Sequence, residues 1–446
     1  MTREQYFIYF CIFIIILSTG VLYFDFAGGS TNEQTADTTL QQQSQLPFSE
    51  RTQLIQPNEN VTVISDHPGD RLIAFAPDGR LLYYTDTFDR YYDVDPVSNG
   101  SNTVEVVGVE YLDLDTTRQF VQRINLTTGH SEMKYTHIVP RTGGPHRWHD
   151  VDRLGPDRLV VADIYRDSVF IVNTTTEERV YEWHVQDDYP LDGGGPWPSD
   201  WTHLNDVEAL ADGRIMVSLR NQDQVIFIRP GKGLIEDWTL GAEDNYTTLY
   251  EQHNPDYIPE EQGGPAIIVA DSQNNRVVEY QRTDGSWQQS WQWSDAEMQW
   301  PRDADRLPNG HTLIADSNSG RILEINKSGD IVWQITGVSN YEAERLGTGD
   351  ESSGGSSAAT LNLISQGQRS EQSSRVQSIV TEIKKFLRSL LPAKVINAAL
   401  IVLPSWMSPQ SVGAVISIIL TSGILIGLSL KRSRYRFQTP IIREDD

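Results

Sequence analysis

The sequence predicts an all-β fold, a β-propeller of about six four-stranded blades, with a transmembrane helix at each end of the chain. Three observations predict it. A strand–turn–strand unit recurs within residues 60–345, tryptophans recur with that unit at intervals of about 50 residues, and long uncharged apolar runs lie near both termini.

The repeat is clearest in the second half of this region. The segments DVDRLGPDRLVVAD (150–163), DVEALADGRIMVS (206–218) and DADRLPNGHTLIAD (303–316) each have the pattern of a strand, a tight turn and a second strand. A third strand follows each time, and a fourth is marked by tryptophans, namely Trp183, Trp238, Trp291 or Trp293, and Trp333. An earlier unit at residues 70–86 has the same form, so residues 60–345 are expected to hold about six blades.

The apolar runs predict the topology. Residues 6–23 and 412–430 carry no charge and are long enough to span a bilayer, and Lys431 and Arg432 follow the second run directly. The basic end of a span stays in the cytoplasm, so both termini are expected there, with the propeller extracellular. The expected organisation is an N-terminal anchor (1–27), a polar linker (28–59), the propeller (60–345), a Ser/Gly-rich linker (346–375), amphipathic and interfacial helices (376–406), a C-terminal transmembrane helix (409–430) and a basic cytoplasmic tail (431–446).

Composition narrows the function. The 446 residues include 36 Lys plus Arg and 61 Asp plus Glu, a net charge of -25, which excludes nucleic acid as a natural partner and is typical of a protein adapted to high salt. The one cysteine, Cys11, lies in the first apolar run, so the external region has no disulfide and no thiol chemistry. The N-x-[ST] sequons fall in the region predicted to be external, at Asn60, Asn99, Asn125, Asn173, Asn245 and Asn326.

Propellers bind ligands where their innermost strands converge. At the start of successive predicted inner strands the sequence has His149, His203, His253 and Arg302. This shared phase predicts that they face one another across the channel. Other polar residues are expected to have structural roles: Asp150, Asp206, Asp303 and Arg302 bracing the strand turns, His311 lying at the opposite end of its hairpin, and His67, His130, His137 and His184 on the surface.

These residues resemble the arylsulfate sulfotransferase family, which consists of six-bladed propellers outside the cytoplasm. His203 and Asn205, followed by the strand that ends at Arg220, are similar to that family's H-x-N and R-x-Q segment. Gln252-His253 is similar to its Gln-His motif, whose histidine carries the sulfuryl group covalently, and His149-Asp150 resembles its H-D motif. The resemblance extends over residues 149–333.

The resemblance implies transfer of a sulfuryl group from an aryl sulfate donor to a phenolic acceptor, with His253 as the nucleophile. A neutral imidazole suits this task, and release of a phenolate needs neither a nucleotide sulfate donor nor a metal or other cofactor. His203 is then expected to act as acid and base, while Arg220, Asn205 and His149 stabilise the sulfuryl oxygens.

Two other classes of function fit the same residues. One is a non-enzymatic extracellular propeller that binds a glycan or a protein. The other is a Ca²⁺-dependent hydrolase of the lactonase type, with the oxygens of Asp150, Asn205, Asp206 and Asp303 as metal ligands. The acceptor, the donor and the oligomeric state are not specified by the sequence.

Overall fold

The computed structural model describes residues 3–28, 36–52, 55, 60–67, 69–97, 102–141, 147–349, 354–366, 395, 407 and 409–432. The chain forms two compact units, one made of the terminal segments 1–33 and 370–446, the other of residues 34–369. Apart from residue 395, the predicted amphipathic and interfacial segment 376–406 lies outside the described residues, as does the tail beyond residue 432.

The terminal unit contains two long helices, α1 (Arg3–Gly28) and α4 (Pro409–Arg432), which contact each other. Both contain an apolar stretch of 19 residues, Gln5–Tyr23 in α1 and Ser411–Ser429 in α4. By length and composition each helix is able to cross a membrane, as predicted. Cys11 is a free thiol buried in this unit.

The other unit is a propeller of six antiparallel sheets. Blade 1 consists of β1 (Thr62–Asp66), β2 (Arg71–Phe75), β3 (Leu81–Thr85) and the last strand of the chain, β25 (Asn340–Arg345). Blade 2 consists of β4 (Arg90–Pro96), β5 (Thr103–Tyr111), β6 (Thr116–Asn125) and β7 (Ser131–Pro140). Blade 3 consists of β8 (Trp148–Gly155), β9 (Arg158–Asp163), β10 (Ser168–Asn173) and β11 (Glu178–His184).

The second half of the ring follows the repeat seen in the sequence. Blade 4 consists of β12 (Leu204–Ala209), β13 (Ile215–Leu219), β14 (Gln224–Arg229) and two short edge strands, β15 (Gly233–Leu234) and β16 (Leu240–Gly241). Blade 5 consists of β17 (His253–Ile258), β18 (Ala266–Asp271), β19 (Arg276–Thr283) and β20 (Ser286–Trp293). Blade 6 consists of β21 (Pro301–Arg306), β22 (Thr312–Asp316), β23 (Arg321–Ile325) and β24 (Ile331–Thr336).

The ring closes because β25, from the end of the propeller, pairs with β1 from its beginning, with Thr62 opposite Arg345. The innermost strands are β25, β4, β8, β12, β17 and β21, and each contacts the innermost strands of the two adjoining blades. The second strand of each blade is largely buried between adjacent blades and is rich in apolar residues, with a continuous apolar run such as Ile267–Ala270 in blade 5. The predicted fold class and blade number are confirmed.

The outer tryptophans agree with the repeat in all but one blade. Trp183, Trp291, Trp293 and Trp333 lie in the fourth strands β11, β20 and β24. Trp238 was expected in a fourth strand and instead ends a short 3₁₀ turn between β15 and β16, where Arg214 and Arg282 cover its ring. The edge of blade 4 is therefore split into two short strands rather than formed by one.

The segments expected to be linkers contain ordered structure that packs on the propeller. Helix α2 (Ala36–Gln45) buries Leu40 in the core between blades 1 and 6. The short helix α3 (Ala358–Leu361) buries Ala358 beside Trp291 and Trp293, and the backbone NH of Ala358 donates to the Glu279 carboxylate. A few apolar residues are enough to hold each polar segment on the core.

Candidate active site

The six inner strands share a four-residue pattern: a variable residue, an acid or Asn, then Val, Ala or Pro, then a second acid. Its copies are YDVD at 92–95, HDVD at 149–152, NDVE at 205–208, HNPD at 253–256, RDAD at 302–305 and YEAE at 341–344. A β-bulge interrupts the ladder at the variable residue in five blades, and between His253 and Asp256 in the other. A bulge turns a side chain out of the strand's regular alternation. The variable residues therefore gather at one end of the channel.

We call these six residues the mouth layer: Tyr92, His149, Asn205, His253, Arg302 and Tyr341. Their side chains meet. The ring of Tyr341 lies 4.9 Å from that of His149 and 6.0 Å from that of His253. The ring of Tyr92 lies 5.4 Å from that of His149. The Arg302 guanidinium lies 5.0 Å from the centre of the Tyr341 ring.

His203 does not occupy the inner-strand position predicted for it. Asn205, rather than His203, is the equivalent of His149 and His253, and His203 lies two residues before it on the loop that enters β12. The His203 backbone has a φ of 46°, a left-handed conformation that is uncommon for a residue with a side chain. This turn brings the His203 ring to 5.6 Å from the His149 ring, so the histidine still joins the cluster.

The imidazole of His253 is held through one nitrogen. Its Nδ1 lies 3.1 Å from the carbonyl oxygen of Glu251 and 2.8 Å from the hydroxyl oxygen of Ser272. A carbonyl oxygen only accepts, so Nδ1 carries the proton and Nε2 has the lone pair. Ser272 begins a single 3₁₀ turn directly after β18, and the same kind of turn follows the second strands of blades 4 and 6. Nε2 of His253, which has the lone pair, is therefore chemically able to act as a nucleophile.

His203 has the same arrangement with a different partner. Its Nδ1 lies 2.7 Å from a carboxylate oxygen of Asp200. The carboxylate accepts the Nδ1 proton, which leaves Nε2 of His203 able to take a proton from another molecule. Asn205 donates from its amide to the carbonyl oxygen of Gln252, and this bond ties blade 4 to the residue before His253.

Three guanidinium groups surround these rings. Arg220, in the 3₁₀ turn after β13, donates to Glu251 at 3.0 Å. Among the described residues neither Arg147 nor Arg302 forms an ion pair, and both instead lie near aromatic rings, Arg147 over Tyr92 and Arg302 over Tyr341 and Trp300. Burial lowers the pKa of Arg302 to about 10, with the positive charges of Arg220 and Arg147 adding to the effect. Buried guanidinium groups of this kind favour an anionic ligand.

The same environment keeps the histidines neutral. Burial lowers the pKa of His149, His203 and His253 well below 6.5, and for His253 the charges of Arg220 and Arg302 lower it further. Neutral imidazoles beside arginines combine nucleophiles and bases with positive charge for an anion. This combination suits transfer of an anionic group.

The structure adds residues that the sequence did not indicate. Tyr92 and Tyr341 belong to copies of the inner-strand pattern in blades 1 and 2, outside the clear repeats, and the pattern itself was the signal that could have found them. The Tyr341 hydroxyl lies 3.1 Å from His149 Nδ1. His67 was expected on the surface but is half-buried, with its ring 5.1 Å from that of Tyr92. Burial lowers its pKa.

Below the mouth layer, the acids of the pattern brace neighbouring blades. Asp150 accepts a hydrogen bond from the backbone NH of Val207 in the next blade, and Asp303 accepts one from Ala343. Bracing was predicted for both, although the bonds join inner strands rather than close turns. His311 pairs with Glu324 outside the mouth layer, as expected. Of the ligand set considered for Ca²⁺, Asp150, Asp206 and Asp303 line one cavity, while Asn205 belongs to the mouth layer.

The fold and the site together define a β-propeller whose channel opens onto buried imidazole and guanidinium groups. Residues 170–338 match the family model described as Arylsulfotransferase (ASST). The match begins in β10, ends after β24 and includes His203, Asn205, Arg220 and His253, whereas His149 precedes it. It supports this family and a sulfotransferase activity.

No curated protein matches the sequence significantly. Among solved structures, a protein of unknown function from Bacteroides caccae is similar at 11% identity and a TM-score of 0.44, covering 63% of this chain and 94% of that one. Virginiamycin B lyase from Staphylococcus aureus is similar at 9% identity and a TM-score of 0.41, covering 65% and 87%. The propeller assignment follows from the sheet order described above.

Proposed function

We propose that the protein is an aryl-sulfate sulfotransferase of the arylsulfotransferase family, and that it transfers the sulfuryl group through a covalent sulfohistidine at His253. The observation that carries the proposal is the state of His253. Its protonated Nδ1 is held by Glu251 and Ser272, and its Nε2 has the lone pair. The neighbouring guanidinium groups of Arg220 and Arg302 repel cations and therefore disfavour a metal ion at this position.

In the first half of the reaction, His253 Nε2 attacks the sulfur of an aryl sulfate. The bond from nitrogen to sulfur forms as the bond from sulfur to the aryl oxygen breaks, and the electron pair leaves on the phenolate. Arg302 and Arg220 stabilise the sulfuryl oxygens, together with the amide of Asn205 and the neutral ring of His149. His203 is neutral before the substrate binds, and the negative charge of the bound sulfate favours its protonated form, which gives its proton to the departing phenolate.

In the second half, a phenol replaces the released product. Neutral His203, oriented by Asp200, takes the hydroxyl proton of this acceptor through Nε2. The phenolate oxygen attacks sulfur, the bond from sulfur to His253 breaks, and His253 recovers its lone pair. The proton held by His203 is the one it gives to the next leaving phenolate, so the cycle balances without a nucleotide sulfate, a metal or another cofactor.

The location of this reaction is also part of the proposal. We place α1 and α4 as membrane anchors with both termini in the cytoplasm and the propeller outside, because basic residues follow α4 directly. The net charge of -25 suits a salt-rich exterior, where salt screens the repulsion between the protein and an anionic substrate. We also propose that the N-x-[ST] sequons are glycosylated, in keeping with an extracellular propeller.

The test is phenol release from a chromogenic aryl sulfate by the detergent-solubilised full-length protein in concentrated KCl, with and without a second phenol as acceptor. His253→Ala should abolish release, and the control His311→Ala, at a histidine paired with Glu324 outside the mouth layer, should retain it. A chelator, added well below the melting temperature, should leave transfer in place. Release that is unchanged in His253→Ala refutes the covalent mechanism, and no release by folded wild type favours a binding module.

A further inference from the structure

Two layers of carboxyl groups lie beneath the mouth layer. The second position of the inner-strand pattern gives an upper layer of Asp93, Asp150, Asp206, Asn254, Asp303 and Glu342. The fourth position gives a lower layer of Asp95, Asp152, Glu208, Asp256, Asp305 and Glu344. All but Glu208 are buried. So many acids around one axis require either protons or a cation.

Most of the upper layer is satisfied by a regular hydrogen-bond circuit. In four blades the acid accepts from the backbone NH at the third pattern position of the next blade. The pairs are Glu342 with Val94, Asp93 with Val151, Asp150 with Val207, and Asp303 with Ala343.

The circuit is interrupted at blade 5. The next residue in line to donate to Asp206 is Pro255, which has no backbone NH. Oδ1 of Asp206 accordingly has no hydrogen-bond partner. The acid of the upper layer in blade 5 is itself replaced by Asn254, whose Oδ1 is also without a partner although the residue is only 8% exposed.

The unpartnered oxygens share a cavity. A small space on this side of the channel is lined by both layers: Asp150, Asp206, Asn254, Pro255, Asp256, Asp303, Asp305, Glu342 and Glu344. Oδ1 of Asp256 and Oδ2 of Asp305 are unpartnered as well. The space has room for about one water molecule or one ion.

The cavity contains many oxygen ligands and few counter-charges. Among the described residues, Asp150, Asp206 and Asp303 form no ion pair with Lys or Arg, and Arg306, whose positive charge acts on Asp256, is itself paired with Glu279 at 3.0 Å. Carboxylate and amide oxygens, with no imidazole or thiol, are the ligand set of a hard cation.

Three acids of the cavity lie close enough together to share one cation. Single carboxylate oxygens of Asp303, Asp305 and Glu344 lie within 4.8 Å of one another. Mg²⁺ demands a near-ideal octahedral geometry and usually keeps several waters, whereas Ca²⁺ is bound flexibly by many protein oxygens. A crowded cavity of carboxylate and amide oxygens therefore suits Ca²⁺, with the oxygens of Asp206 and Asn254 available to complete the coordination sphere.

We propose that this cavity is a Ca²⁺ site, formed by Asp303, Asp305 and Glu344 together with the unpartnered oxygens of Asp206 and Asn254. The ion offsets part of the negative charge of the two carboxyl layers and joins the inner strands of blades 4, 5, 6 and 1. It makes no contact with substrate, so its existence does not depend on the function proposed above.

The test uses full-length detergent-solubilised protein in concentrated KCl, stripped with a chelator and then equilibrated with CaCl₂. We expect about one tightly bound Ca²⁺ per chain by elemental analysis. At a Ca²⁺ concentration near 100 times Kd, the melting temperature should rise by about 5 °C. Tryptophan fluorescence reports the melting transition.

The matched variants are Asp303→Asn with Asp305→Asn, which keeps shape and hydrogen bonding, and Asp316→Asn, a buried acid outside the channel that pairs with Arg321. The double variant should lose the bound ion and the Ca²⁺-induced shift. Asp316→Asn should keep both, even if its own melting temperature is lower. The proposal is overturned if the folded wild type binds no stoichiometric Ca²⁺, which would mean that the carboxyl layers hold protons instead. It is also overturned if Ca²⁺ raises the melting temperature of the double variant as much as that of the wild type.

Discussion

The hydroxyl of Ser272 is expected to position the nucleophile, and Ser272→Ala measures that effect. Ser272 Oγ lies 2.8 Å from His253 Nδ1, while the Glu251 carbonyl oxygen lies 3.1 Å from the same nitrogen. Removing the hydroxyl leaves the carbonyl, so the tautomer of His253 is preserved and only one neutral hydrogen bond is lost. Such a bond contributes about 0.5–1.5 kcal/mol, which corresponds to a fall of about two- to tenfold in kcat/KM.

The assay is initial-rate phenol release from a chromogenic aryl sulfate, with saturating acceptor. Ser317 provides the control, because it begins the equivalent 3₁₀ turn in blade 6 but bonds Asn340 at 3.1 Å rather than a histidine. We expect Ser317→Ala to leave kcat/KM unchanged and Ser272→Ala to lower it. Equal rates in the two variants, or a loss in Ser272→Ala as complete as in His253→Ala, would refute the positioning argument.

Three further predictions follow from the same geometry. Because burial lowers the pKa of His253, this residue stays neutral at acid pH, and kcat/KM should remain constant as the pH falls below about 6.5, the usual histidine pKa. A loss of kcat/KM centred at or above that pH contradicts the burial argument. Arg302→Gln should lower kcat by about 100-fold or more, because a buried charge beside the sulfuryl oxygens is lost. Circular dichroism should show little change in fold, and an unchanged kcat removes Arg302 from the site. Pro255→Ala supplies a backbone NH that Asp206 can accept from, so the melting temperature of the Ca²⁺-free protein should rise and the Ca²⁺-induced shift should become smaller. No change in either quantity contradicts the argument that Pro255 interrupts the hydrogen-bond circuit.

The buried acids also predict how stability depends on pH. Burial raises the pKa of Asp303 to about 7, well above its value in the unfolded chain. The native state then binds more protons than the unfolded state, so this contribution to stability is present at low pH and is lost as the pH rises through about 7. In chelator, the melting temperature of Asp303→Asn relative to wild type should increase between about pH 5 and about pH 8. A difference independent of pH would show that Asp303 is ionised in the apo protein.

The fold could be predicted because the propeller repeats its hydrophobic pattern. In blades 3 to 6 the second strands are rich in apolar residues, the turns before them carry Gly, Pro or Asp, and these signals return at a nearly constant interval. Blades 1 and 2 were harder to recognise, since their strands differ in length and blade 1 is completed by β25, which lies far from β1 in the sequence. Local patterns do not report a pairing between distant segments.

The site could be predicted only in part. Every histidine proposed for the reaction lies in the cluster, because the repeat places equivalent residues at one end of the channel. His203 was assigned to the wrong phase: Asn205 is the residue equivalent to His149, and His203, two residues earlier, reaches the cluster through its left-handed backbone conformation. Tyr341 and His67 join the cluster through contacts between blades 1, 2 and 3, which no short segment of sequence encodes.

The central claim is that His253 carries the sulfuryl group. The most direct measurement is rapid mixing of wild-type protein with a radiosulfur-labelled aryl sulfate in the absence of acceptor, followed by an alkaline quench and mapping of the labelled peptide. We expect one label per active chain on the peptide containing His253, and its loss when a phenol is added before the quench. An active protein that never carries label, or carries it on another residue, would contradict the account.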